Sequence, residues 1–162
     1  MSTAVVYFSL NGNTDYAAKE IAKALSADCI RLEPEKPYPD NGFAKFFKGG
    51  GSAVMGEKPA LRPYIFDAAS YDTVIFGFPV WAARVTPPIR TFVEEQKASL
   101  KGKRIAAFAC QSGNGAQKAF PKLKEALGIP DFAAELVLID PKNKPSEENT
   151  SKIHAFCESL KA

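Results

Sequence analysis

Apolar and polar positions alternate between two periods along this chain. The run Ala4-Val5-Val6-Tyr7-Phe8 is unbroken, and it is followed by Ala18, Ile21, Ala22 and Leu25 at helical spacing. The pattern predicts a strand over 3–8 and a helix from Asn13 or Thr14 to Leu25. Asn13 or Thr14 is its expected N-cap, and Asp15 suits the positive end of the helix dipole. A second strand over 28–33 ends at Pro34 and Pro37. The stretch Thr73-Val74-Ile75-Phe76-Gly77-Phe78 is apolar without alternation, as in a strand covered on both faces. Thr86-Pro87-Pro88 opens a helix with Thr86 as cap and Ile89, Phe92 and Val93 as its buried stripe. Then come a strand over 104–109 and a helix carrying Ala119, Phe120, Leu123 and Leu127. Gly128 is placed to stop that helix, and Pro121 must lie in its first turn or bend it. A strand over 135–139 and a helix opening near Pro145-Ser146, with Ile153, Phe156, Cys157 and Leu160 on one face, complete the pattern.

Strands that alternate with helices predict parallel pairing through right-handed crossovers, hence a three-layer α/β/α sandwich in one domain. The alternation fails only over 35–63, which holds Pro37, Pro39, Pro59, Pro63 and Gly49-Gly50-Gly51. Phe43, Phe46 and Phe47 suggest a short helix with an aromatic face there. A long irregular connection in a compact domain is usually functional or disordered.

Composition narrows the class. The chain has 162 residues, 46% hydrophobic and 24% charged, enough for one sizeable core. A net charge of +3 with scattered lysines gives no nucleic-acid footprint. Cys29, Cys110 and Cys157 are far apart and form no C-x-x-C, so they read as reduced thiols. Cys29 and Cys157 are expected to pack in the interior, and Cys110 to be a small buried thiol. His154 is the only histidine and falls on the last helix, so histidine-based metal or nucleophile chemistry has little material. No signal peptide and no membrane-spanning stretch is expected, which points to a cytoplasmic protein.

The chemistry-bearing residues gather in three loops, each after a strand: Ser9-Leu10-Asn11-Gly12-Asn13-Thr14, Pro79-Val80-Trp81-Ala82-Ala83-Arg84-Val85 and Cys110-Gln111-Ser112-Gly113-Asn114-Gly115. The first runs into a helix and can cradle a phosphate on backbone N–H groups. It matches neither G-x-G-x-x-G nor the ATPase phosphate loop. None of the three offers a general acid/base pair. In doubly wound sheets, ligands lie beyond the carboxyl ends of the strands.

With these loops in place, the chain resembles the flavodoxin family of short-chain type. Ser9-Leu10-Asn11-Gly12-Asn13-Thr14 matches [ST]-x-[TN]-G-N-T, Trp81 stands where the family has an aromatic, and Gln111 to Gly115 match its glycine-containing loop. The resemblance implies a five-stranded parallel sheet of order 2-1-3-4-5, with FMN at the switch between strands one and three. It implies that Ser9, Leu10, Asn11, Gly12, Asn13 and Thr14 form the phosphate loop, without a cation. Trp81 would stack on the isoalloxazine. Pro79, Val80, Ala82, Ala83 and Arg84 would line its edge, and Cys110, Gln111, Ser112, Gly113, Asn114 and Gly115 its pyrimidine side. No catalytic residue and no metal is implied. The implied function is that of a monomeric electron carrier between a reductase and a partner enzyme. The alternative is an FMN-dependent NAD(P)H oxidoreductase acting on quinones or similar acceptors. A receiver domain of similar topology needs acidic residues at the ends of the first and third strands, where Ser9 and Pro79 stand.

Three features depart from the family pattern. Flavodoxins commonly carry a glycine after the stacking aromatic, whereas Ala82-Ala83 stand here, and positive φ is costly for alanine. A less stabilised one-electron-reduced flavin is therefore expected. The chain is slightly basic, with Arg84 in the flavin loop, which favours anionic reduced flavin. The fourth-strand loop lacks an aromatic, which leaves one flavin face open or covered by Phe43, Phe46 or Phe47.

Overall fold

The computed structural model describes residues 2–38, 58–81 and 83–161. Among these, the strands are β1 (Thr3–Tyr7), β2 (Asp28–Arg31), β3 (Thr73–Pro79), β4 (Arg104–Gln111) and β5 (Glu135–Ile139). The α-helices are α1 (Asn13–Leu25), α2 (Pro87–Leu100), α3 (Ala116–Leu127) and α4 (Glu147–Lys161). All strand pairs are parallel, in the order β2-β1-β3-β4-β5. This is the expected flavodoxin-like α/β fold.

The pleat sorts the apolar runs onto two faces. Ala4, Val6, Phe8, Val74, Phe76, Phe78, Ala107 and Ala109 pack with Ile89, Phe92, Phe120 and Leu123 of α2 and α3. Val5, Tyr7, Ile75, Ala106, Phe108 and Cys110 pack with Ala17, Ala18, Ile21, Phe156 and Leu160 of α1 and α4. Uninterrupted apolar strands are thus the consequence of cover on both faces. Gly77 is dictated by the register: it pairs with Phe108, and a Cβ there would overlap the Phe108 ring. At the sheet edge, the Asn149 side chain replaces a missing neighbour strand. Its Nδ2 donates to the Ile139 carbonyl at 2.9 Å, and its Oδ1 accepts from the Ile139 N–H at 3.4 Å.

Several local expectations change. The N-cap of α1 is Gly12, at φ +96°, so Asn13 and Thr14 are helical residues and not caps. The Asn13 side chain is free for a different task, described below. β4 extends to Gln111, which makes Cys110 a core strand residue. Pro121 lies inside α3, beyond its first turn. Gly128 ends that helix at φ +70°, as expected. Thr86 is the N-cap position of α2, but its hydroxyl makes no capping bond. Cys29 is exposed rather than packed, because β2 is an edge strand with only Ile30 buried. His154 is exposed. No described helix is long and apolar enough to cross a membrane. Phe43, Phe46, Phe47, the glycines 49–51 and Ala82 lie outside the described residues.

Candidate functional site

The carboxyl ends of β1, β3 and β4 bring the three loops together at the point where the strand order reverses. The β1 loop is the best braced. Arg31 donates from Nη2 to the Ser9 carbonyl at 3.2 Å and from Nη1 to Asp15 Oδ1 at 3.2 Å. Tyr7 donates its hydroxyl to the same Asp15 oxygen at 2.6 Å, and Lys19 pairs with the other at 2.9 Å. Burial works to raise the Asp15 pKa, but bonds from Lys19 and Tyr7 and the charges of Lys19 and Arg31 outweigh it and hold the carboxyl below its ordinary range. Burial, then the Asp15 carboxylate, pushes the Tyr7 phenol up, so it stays a donor. Strand, loop and helix are thereby fastened at one carboxylate.

Above this brace the loop turns tightly at Gly12 and presents the N-terminus of α1. Ser9 is 4% exposed, and its hydroxyl has no hydrogen-bond partner. A buried, unpaired hydroxyl in a polar turn is costly unless something outside the protein completes it. Thr14, 1% exposed, lies beside the Cys110 thiol. Burial pushes that thiol up to about 12, which keeps it protonated and unreactive.

The β3 loop closes on itself. Trp81 and Arg84 exchange backbone hydrogen bonds at 2.9 and 3.3 Å, and Ala83 takes φ +59° inside the turn. Ala83 thus holds the positive φ that is costly for alanine. The Trp81 indole stands edge-to-face on Phe8 at 5.7 Å and on Tyr38 at 5.2 Å. Phe8 and Tyr38 also meet edge-on, at 5.9 Å, so three rings from three segments form one half-buried corner. Sequence reading singled out Trp81 but not Tyr38, whose isolated position in an irregular stretch carries no periodic signal. Arg84 lines a groove with Arg90, Lys122 and Leu123 on the α2/α3 side.

In the β4 loop, Gly115 at φ +116° packs so closely that a Cβ would lie 2.9 Å from the Ala83 Cα. The β3 and β4 loops therefore touch backbone to backbone. Gln111 caps α3 by accepting the Ala116 N–H at 3.0 Å, and Ser112 donates to Asp140 Oδ1 at 2.7 Å.

The loop after β5 is the part that sequence reasoning missed. Asp140, 7% exposed, takes φ +40° and holds Ser112. Two residues later the chain returns to the β1 loop, where Asn13 Oδ1 accepts the N–H groups of Lys142 and Asn143 at 2.9 and 3.2 Å. This turn ties the first and third loops into one wall. No group of metal-ligating side chains occurs among the described residues.

Known proteins share this architecture. A family model described as Flavodoxin matches residues 2–145. A Bacteroides uniformis protein provisionally named a flavoprotein is 28% identical, with a TM-score of 0.76 over 95% of this chain and 97% of that one. A second protein so named, from Bacteroides eggerthii, is 26% identical, with a TM-score of 0.74 over 99% and 98% of the two chains. A Lactobacillus acidophilus flavoprotein solved in complex with FMN has the same fold at 18% identity, with a TM-score of 0.71 over 88% of this chain and 95% of that one.

Proposed function

The chain belongs to the flavodoxin family, and from that premise we propose that it binds FMN and works as an electron carrier between a reductase and a partner enzyme. The observation that carries the reading is the β1 loop. A helix N-terminus, a glycine turn at φ +96° and an unpaired Ser9 hydroxyl that is shut off from solvent converge where a nucleotide phosphate is held in such sheets. The donor set fits a phosphate: backbone N–H groups of the Gly12 turn, the Ser9 hydroxyl and the start of α1.

Bound FMN supplies one- or two-electron transfer; the chain supplies position and environment. Trp81 is held edge-on by Phe8 and Tyr38, which fixes the plane it can offer to a flat ring. The Ala83–Gly115 contact sets the distance between the two loops that would flank that ring. Cys110 is a buried neutral thiol, and its place under Thr14 supports the loop without entering the chemistry. Nothing in the three loops is arranged as a general acid/base pair, which suits a carrier whose protons come from solvent.

Anaerobic stopped-flow mixing of the FMN-loaded protein with NADPH alone tests the carrier reading. Slow bleaching of the flavin, accelerated by an added flavodoxin reductase, is expected. Rapid bleaching without a reductase would replace it with the NAD(P)H oxidoreductase reading.

A further inference from the structure

We propose that Lys142 is the cation that pairs with the phosphate of the bound flavin nucleotide, delivered to it by the turn after β5. The inference rests on the FMN reading and adds to it a charge that the β1 loop itself does not carry. A Cβ built on Gly12, the turn residue of the cradle, would lie 2.8 Å from Lys142 Nζ and 3.2 Å from its Cδ. The lysine side chain therefore lies against the glycine whose backbone shapes the phosphate turn. Its backbone is not free to drift, because Asn13 Oδ1 accepts the N–H groups of both Lys142 and Asn143. From the other side, the Lys144 N–H donates to the Asp140 carbonyl at 2.7 Å, and Asp140 is fixed by Ser112.

An independent observation points to an anion at the same turn. The Ser9 hydroxyl is buried and unpaired, and the helix N-terminus beside it carries partial positive charge. A dianionic phosphate would complete the hydroxyl, the amides and the ammonium together. Among the described residues no acidic side chain pairs with Lys142: Lys144, two residues on, is the lysine that pairs with Asp140, at 3.8 Å. Gly12 has a second reason to be glycine here, since any side chain would displace the ammonium as well as strain the turn.

The role separates phosphate recognition from ring recognition, so riboflavin, which lacks the phosphate, is the control ligand. Apo-protein is titrated with FMN and with riboflavin at low and raised salt, followed by quenching of flavin fluorescence. Lys142→Met is expected to weaken FMN binding about tenfold at low salt, the scale of one charge-assisted contact. It is expected to flatten the salt dependence and to leave riboflavin affinity unchanged. Lys142→Arg is expected to keep the preference for FMN. Equal losses for both ligands, or no loss for FMN, would overturn the role of Lys142 while FMN binding stands. Wild-type protein that takes up neither ligand would overturn the FMN reading, and this inference with it.

Discussion

Ala83 holds φ at +59°, a region that costs an L-residue with a Cβ roughly 1–2 kcal/mol. The Trp81–Arg84 backbone pair and the Gly115 contact leave the turn no alternative. Ala83→Gly should therefore raise stability by up to about 1 kcal/mol in urea unfolding, the relief of strain being partly offset by chain entropy. Gly77 is the opposite case. Phe108 is fully buried against it, so Gly77→Ala should destabilise by roughly 1–3 kcal/mol through overpacking of the sheet. The thiols differ in the same local way. Cys29 is exposed on the edge strand, whereas Cys110 and Cys157 are buried. A thiol reagent should label Cys29 within the native state and reach the other two only on unfolding; prompt labelling of Cys110 would contradict its burial.

At the scale of elements, the Asp15 brace links β1, β2 and α1, and its carboxyl is held below the ordinary value of 3.8. A depressed carboxylate stabilises the fold fully above its unfolded pKa, and that share is lost as pH falls through the folded value. Asp15→Asn should thus lower stability at neutral pH and flatten the loss below about pH 4. A variant whose acid limb matches the wild type would show that the brace contributes nothing. Most of these elements were legible in the sequence, because a strand buried on both faces writes a solid apolar run and an amphipathic helix writes a period of 3.6. The Ser9–Thr14 loop was legible as a turn because Ser, Asn, Gly and Thr between an apolar run and a helical pattern mark one. The turn after β5 was not. Asn13 and Lys142 stand 129 positions apart, and Ser112 and Asp140 stand 28 apart. Neither pair leaves a local pattern. The N-cap of α1 was misread for a related reason: Asn13 is a good capping residue, yet its oxygen serves this distant turn while Gly12 supplies the cap conformation.

At the scale of the molecule, the two cores hold the sheet, and the sheet holds three loops that meet at its carboxyl edge. Such a site gains from its ligand. Saturating the protein with FMN should raise its unfolding free energy, by about 2.7 kcal/mol when free FMN is a hundred times the dissociation constant. On the proposed carrier reading, the excess of positive charge, +3 overall, would favour acidic partner surfaces over basic ones. All of this depends on the flavin being present and being FMN. The most direct measurement is to purify the protein, record its visible spectrum, denature it and identify the released chromophore by chromatography. A yellow protein that releases one FMN per chain is the predicted result. A colourless protein that takes up no added FMN would contradict the account.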